Sequence, residues 1–115
     1  MDIEYASSRA RWVRHQVLEM ITRAGRGHIG GSLSSADLLV ALYHGKLLRY
    51  DSRNPQWEER DRFIMSKGHS AEALYAVLAD VGFFDVEVLE TYGKSGSVLG
   101  GHVDHARCKA VPLFR

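Results

Sequence analysis

Residues 61–69 read DRFIMSKGH, a short apolar run that ends in a glycine and a histidine. The run over residues 62–66 predicts a short, buried parallel strand, because such strands are continuous apolar segments of about four to eight residues. Gly68 interrupts the run, and a helical pattern follows as far as Val81, where Gly82 ends it. His69 therefore lies at the turn between a predicted strand and a predicted helix.

The residues before this run predict two helices with a glycine-rich loop between them. From Ile3 to Ala24, apolar residues recur at spacings of three and four, which is typical of an amphipathic helix. Residues 25–31 form the loop and include four glycines. Ser34 and Asp37 predict the amino-terminal cap of the second helix. Its buried stripe is predicted to consist of Leu38, Leu39, Leu42 and Leu47.

The residues after Gly82 predict one more short helix, with Asp85 as its cap and Tyr92 at its end. A loop rich in glycine and serine follows over residues 93–101. The sequence shows no internal repeat and no linker between domains. We therefore expect residues 1–115 to belong to one partial domain.

The composition is that of an ordinary globular protein and excludes several classes. Hydrophobic residues make up 45% and charged residues 25% of the chain, which argues against a disordered, collagen-like or coiled-coil protein. The formal net charge of +1 is too small to indicate an electrostatic attraction for nucleic acid. Cys108 is the single cysteine, so no internal disulfide forms. With no membrane-length apolar run and no signal-peptide pattern, we expect a cytoplasmic protein with no nucleic-acid or membrane partner.

Three of the six histidines, His28, His69 and His102, directly follow a glycine. An imidazole can donate or accept a hydrogen bond and can carry a positive charge near neutral pH. A preceding glycine leaves room for a ligand at the backbone. Each of them alone is most simply a surface residue, but three in separate loops predict one shared cleft. His15 and His44 are predicted to be a solvated helix residue and a residue at a helix end.

His69 is the most informative of the three because a helix is predicted to begin directly after it. The amino end of a helix binds anions through its free amides and its positive dipole, and an imidazole adds a hydrogen bond or a charge. The segment therefore predicts either a phosphate site or a capping turn without a ligand.

Two other patterns are weaker. The glycines of residues 25–30 match the dinucleotide-binding pattern, but that pattern must follow a strand, whereas a long helix is predicted here. Residues 102–105 contain two histidines and an aspartate, which suit a transition metal, yet no further ligand lies at a plausible spacing.

Three motifs together resemble the amino-terminal part of transketolases. They are GHIGGSLS at residues 27–34, DRFIMSKGH at residues 61–69 and GGH at residues 100–102, in matching order and separation. Ile29 stands where larger transketolases usually carry proline. That difference points to the shorter type, which is encoded as separate amino- and carboxyl-terminal subunits.

This resemblance implies an α/β fold: the incomplete amino-terminal portion of a thiamine diphosphate-binding parallel-sheet fold, helix-rich in this segment. It also implies transfer of a two-carbon ketol unit between sugar phosphates, with thiamine diphosphate and Mg²⁺ as cofactors. By the same resemblance, His69, with Gly68 beside it, contacts the cofactor diphosphate. His28 and His102 face the substrate and assist proton transfers.

The sequence also departs from the family pattern. The Gly-Asp-Gly motif and the downstream asparagine that hold the metal and the diphosphate in the family are absent, and Val103 replaces the usual proline. We therefore expect activity to need further chain or a complementary transketolase subunit, in a homo- or hetero-oligomer. The alternative is a non-catalytic, transketolase-like scaffold or interaction module.

Overall fold

The computed structural model describes residues 2–101, and the regular elements of that part of the chain are helices. The α-helices are α1 (Ile3–Ala24), α2 (Ile29–Tyr43) and α3 (Ala71–Asp80), and a 3₁₀ helix spans Val86–Thr91. All residues of α3 from Ala71 to Ala79 are buried. A helix with no exposed face must be surrounded, and α1, α2 and the 3₁₀ helix all contact α3.

Helix α1 confirms the first predicted helix at both ends. The Asp2 side chain caps it by accepting a hydrogen bond from the amide of Tyr5 at 3.2 Å. Gly25 ends it in the left-handed region with φ 77°, a conformation that glycine adopts without strain. Its buried face consists of Ala10, Val13, Val17 and Met20.

Helix α2 begins at Ile29, more than one turn before Ser34, so the predicted cap is wrong. Ser34 lies inside the helix, where its hydroxyl donates to the carbonyl of Gly31 at 3.0 Å. Asp37 does not reach back to the helix end, because its carboxylate forms two hydrogen bonds with Arg14 of α1 at 3.1 and 2.9 Å.

The buried face of α2 also differs from the prediction. Leu38 and Leu47 were expected in the core, but they are 65% and 66% exposed. Ser32 is fully buried instead, because its hydroxyl binds a buried carboxylate on α3. The first turn of α2 therefore packs against the core through Ser32. The buried residues of α2 are Ser32, Ala36, Leu39, Val40 and Tyr43.

Residues 62–66 do not form the predicted strand. The segment is irregular, and no strand occurs anywhere in residues 2–101. Its side chains still alternate, since Met65 is buried and Phe63 packs against the core while Ile64 is 59% exposed. A parallel strand needs a neighbouring strand for its hydrogen bonds, and the described residues offer none.

The short helix predicted after Gly82 is present as the 3₁₀ helix. Asp85 stands at its N-cap position but makes no side-chain capping bond. Six residues suit 3₁₀ geometry, which occurs in short pieces. Leu89 and Tyr92 are buried and hold this helix against α3.

An ion-pair cluster joins α1 to the carboxyl-terminal ends of α2 and α3. Arg9 of α1 donates two hydrogen bonds to the carboxylate of Asp80, at 2.9 and 2.6 Å. Nε2 of His44 lies 2.7 Å from the same carboxylate, and its side chain is only 10% exposed. His44 caps the end of α2, as predicted, and His15 is solvated on α1 with a side chain 70% exposed.

We expect Asp80→Ala to lower the free energy of unfolding by about 2–3 kcal/mol, because Arg9 and His44 lose their acceptor in a mostly buried position. Urea denaturation followed by circular dichroism measures this change. Asp37→Ala is the matched control, since it breaks an Arg–Asp pair whose carboxylate is 72% exposed. It is expected to change the same quantity by less than about 0.5 kcal/mol. Equal losses in the two variants would contradict the prediction.

Candidate active site

The loop between α1 and α2 brings His28 close to the turn that precedes α3. The imidazole centroids of His28 and His69 lie 5.5 Å apart, with their planes at 69°. Both residues are exposed. Two of the three histidines that follow a glycine are therefore neighbours, and His102 lies outside the described residues.

The turn that carries His69 spans residues 67–70. The amide of Ser70 donates to the carbonyl of Lys67 at 3.0 Å and closes it. Gly68 is half-buried inside the turn. The turn leaves the imidazole of His69 directly ahead of the first residues of α3, as the sequence predicts.

Gly31 of α2 faces this turn and leaves a small cradle. A Cβ atom at Gly31 would lie 2.5 Å from Oγ of Ser70, 3.2 Å from Cε of Lys67 and 3.6 Å from Nε2 of His69. The glycine therefore lets a hydroxyl, an ammonium-bearing chain and an imidazole border one space. These are the groups that bind an anion.

The hydroxyl of Ser70 supports the same chemistry. It is fully buried and has no hydrogen-bond partner among residues 2–101. It stands at the N-cap of α3 but makes no capping bond. Because a buried hydroxyl without a partner costs about 1–3 kcal/mol, this atom calls for a ligand. Together with the positive end of the α3 dipole and the exposed imidazole of His69, this turn has the groups that suit a phosphate such as the diphosphate of thiamine diphosphate.

Glu72 is a central residue that the sequence reasoning missed. Its side chain is fully buried, and its carboxylate accepts the backbone amide of His28 at 3.0 Å and the hydroxyl of Ser32 at 2.8 Å. The phenol of Tyr92 donates a third hydrogen bond. The available signal was an acidic residue in the otherwise apolar run of residues 71–79.

Tyr92 remains a hydrogen-bond donor to this carboxylate. Burial raises the pKa of the Tyr92 phenol, and the hydrogen bond to Glu72 raises it further. The phenol therefore keeps its proton at neutral pH. The three donors that satisfy Glu72 are all neutral groups.

The loop over residues 93–101 is fixed against the helices. The hydroxyl groups of Thr91 and Ser97 lie 2.7 Å apart, and Oγ of Ser97 also accepts the amide of Leu99 at 3.0 Å. The hydroxyl of Tyr75 on α3 donates to the carbonyl of Gly100 at 2.7 Å. These contacts place the backbone that leads towards residue 102.

An open cavity of about 350 Å³ lies beside this loop. The charged side chains that line it are Arg26 and Lys94, and both are cations. Arg26 belongs to the loop that carries His28, while Gly101 lines the other side. The cavity thus borders both loops from which the proposed substrate-facing histidines arise, and its charge is positive.

The remaining sequence patterns have clear outcomes. Residues 102–105, with their metal-ligand content, lie outside the described residues, and residues 2–101 hold no group of three potential metal-binding side chains. Gly25 ends a helix and Gly30 lies in the next one, so the dinucleotide pattern lacks the strand that it needs. Within the same range, no helix is both long and apolar enough to cross a bilayer.

Residues 6–113 match the family described as transketolase, thiamine diphosphate binding domain. The chain belongs to the transketolase family. It is 44% identical over 104 residues to the 6-deoxy-6-sulfo-D-fructose transketolase subunit of Clostridium sp. (strain MSTE9), a match that covers 90% of this chain and 38% of that protein. It is 42% identical over 102 residues to an apulose-4-phosphate transketolase subunit of Phocaeicola vulgatus, covering 89% and 36%.

These two relatives are named as subunits, which confirms the expected similarity to split transketolases. The chain spans 38% and 36% of their lengths. The solved transketolase from Leishmania mexicana superposes with a TM-score of 0.84 at 27% identity, over 92% of this chain and 16% of that one. The match confirms the fold class, with this chain providing a helix-rich portion of the thiamine diphosphate-binding fold.

We expect Gly31→Ala to lower the free energy of unfolding by about 1–3 kcal/mol, because its Cβ would collide with Ser70. Gly30→Ala is the matched control in the same turn of α2, since a Cβ there meets nothing within 4 Å. Alanine is favoured over glycine in a helix, so the control should gain about 0.5–1 kcal/mol. Thermal unfolding compares the two variants. If Gly31→Ala were as stable as Gly30→Ala, the cradle described above would be wrong.

Proposed function

We propose that this chain supplies the thiamine diphosphate-binding part of a transketolase that moves a two-carbon ketol unit between sugar phosphates. The observation that carries the proposal is the pairing of the His28 and His69 rings, 5.5 Å apart, beside the Gly31–Ser70 cradle. The arrangement puts an anion-binding turn and a second imidazole within reach of one bound molecule. Membership in the thiamine diphosphate-binding family identifies that molecule.

In this proposal the cofactor diphosphate lies at the amino end of α3. His69 and the Ser70 hydroxyl donate hydrogen bonds to its oxygens, and Gly68 allows the backbone to come close. When bound, thiamine diphosphate supplies the carbon nucleophile that ketol transfer needs, while the protein supplies position and charge.

The proposal also includes Mg²⁺ and a partner. By the family resemblance, the metal ligands come from a Gly-Asp-Gly motif and an asparagine that this sequence lacks. Because both relatives are named as transketolase subunits, the proposal includes a complementary transketolase subunit or a carboxyl-terminal part, in a homo- or hetero-oligomer. We place this assembly in the cytoplasm and treat residues 1–115 as one partial domain.

The substrate side of the site is assigned to His28 and His102, which hydrogen-bond the hydroxyls of the donor sugar and assist proton transfers. The cavity lined by Arg26 and Lys94 supports an anionic sugar, because its lining charge is positive. Both of the relatives described above are named for sugars that carry a phosphate or sulfonate group.

We expect His69→Ala, in the complete assembly, to weaken thiamine diphosphate binding about tenfold or more, since it removes a charge-assisted hydrogen bond. His28→Ala and His102→Ala should instead lower kcat about 100-fold or more, the usual contribution of acid–base catalysis, with little change in cofactor affinity. Calorimetric titration with thiamine diphosphate and Mg²⁺ gives the affinity, and steady-state kinetics give kcat.

His15→Ala is the control for these variants, because His15 is an exposed histidine on α1 and should leave both quantities unchanged. Equal effects of the three active-site variants on affinity and on kcat would refute the division of roles. An assembly that binds the cofactor but transfers no ketol unit would instead favour the non-catalytic scaffold.

We expect the double variant Arg26→Ala and Lys94→Ala to raise KM for a phosphorylated ketose about tenfold, through the loss of two charges facing the cavity. KM for a ketose without phosphate should stay the same. Arg53→Ala is the control, because Arg53 is an exposed cation that does not line this cavity. If both ketoses lost affinity equally, the cavity would not be the site of the anionic group.

A further inference from the structure

The buried carboxylate of Glu72 contacts the backbone of one histidine of the candidate site and lies close in sequence to the other. It lies on α3, three residues after His69, and it accepts the backbone amide of His28 at 3.0 Å. The first turn of α3 therefore contacts the loop that carries His28, and the helix begins two residues after His69. The imidazole centroids of the two histidines lie 5.5 Å apart.

The loop is shaped to bring its backbone to this carboxylate. A Cβ at Gly27 would lie 2.7 Å from Oε2 of Glu72 and 2.5 Å from Cγ1 of Ile21. Only glycine permits so close an approach, and it lets the next amide, that of His28, point at Oε2.

Burying the carboxylate of Glu72 carries a large desolvation cost. Its desolvation costs several kcal/mol, and an apolar side chain of similar volume often packs at least as well. The apolar alternative would leave the amide of His28 without an acceptor. The hydroxyls of Ser32 and Tyr92 would lose an acceptor as well, but only the bond to His28 reaches a histidine of the candidate site.

We propose that Glu72 is a positioning residue: by binding the amide of His28 it fixes the His28 imidazole relative to His69, and thereby sets the rate of ketol transfer. This inference rests on the proposed function for its kinetic part. Its geometric part stands on the hydrogen bond alone.

Four variants in the complete assembly test it. Glu72→Ala removes the acceptor, and Glu72→Asp keeps the charge but is one methylene too short to reach all three donors. Glu72→Gln keeps length and a carbonyl that can accept the amide of His28, while its NH₂ group can donate to the hydroxyl of Ser32. Tyr92→Phe, the matched control, removes the second donor to Oε2 of Glu72 but leaves the acceptor of the His28 amide in place.

For Glu72→Asp and Glu72→Ala we expect kcat to fall about tenfold or more with a smaller change in KM, because small displacements of a catalytic group have large effects on rate. Glu72→Gln should retain kcat within about threefold of the unmodified protein. Tyr92→Phe should lower the unfolding temperature but keep kcat. Amide hydrogen exchange at His28, read by mass spectrometry or NMR, should accelerate about tenfold in the Asp variant and stay protected in the Gln and Phe variants.

A folded Glu72→Asp protein with unchanged kcat and unchanged exchange at His28 would overturn the proposal. So would equal losses of kcat in Glu72→Asp and Tyr92→Phe, because the carboxylate would then serve stability alone. If Glu72→Ala does not fold, the Asp and Gln variants carry the comparison. An unmodified assembly without transfer activity would refute the proposed function, whereas the exchange measurement would still decide whether Glu72 holds His28.

Discussion

The complete burial of α3 is the constraint on which the other elements depend. From Ala71 to Ala79 no residue of this helix meets solvent, and its alanines let neighbouring helices come close. Burying apolar side chains on every face is worth roughly 25 cal/mol for each square ångström removed from water. That gain requires α1, α2 and the 3₁₀ helix to cover α3 together. The same packing forces the one carboxylate of the run, that of Glu72, to find its partners inside the protein.

Local signals were sufficient to predict some elements and insufficient for others. Both ends of α1 were predictable because Asp2 and Gly25 act within one turn of the helix. The start of α2 was not, because the apparent cap at Ser34 competes with a contact between Ser32 and Glu72, forty residues apart. A capping hydrogen bond is worth about 1 kcal/mol, whereas a hydrogen bond to a charged group is worth about 1.5–3 kcal/mol.

The strand predicted over residues 62–66 fails for a related reason. The alternation of buried and exposed side chains, with Ile64 exposed, differs from the continuously buried run that the sequence predicts, although a strand can show it. Hydrogen bonding between strands is a property of two segments, however, and one segment cannot reveal whether its neighbour exists. The glycine–histidine pattern predicted that His28 and His69 share one site. The signal was local, because a glycine directly before each histidine leaves room for a ligand. The partners of Glu72 could not be predicted in the same way, because its three donors lie 44, 40 and 20 residues away in the sequence.

The glycines of the loop show how close approach builds the site. Gly27 in the loop and Gly31 in α2 both pack closely against the beginning of α3, since a Cβ would collide with Glu72 at the first and with Ser70 at the second. Gly30, between them, faces open space, so the close packing is specific to Gly27 and Gly31. Behind these glycines the buried carboxylate of Glu72 accepts hydrogen bonds from neutral groups. The exposed side chains in front of them are Lys67, His28 and His69. Negative charge is thus enclosed behind the backbone of His28, and the surface left for a ligand favours an anion. A site built in this way positions its histidines through the main chain, which explains how exposed side chains on loops can still be held in a defined geometry.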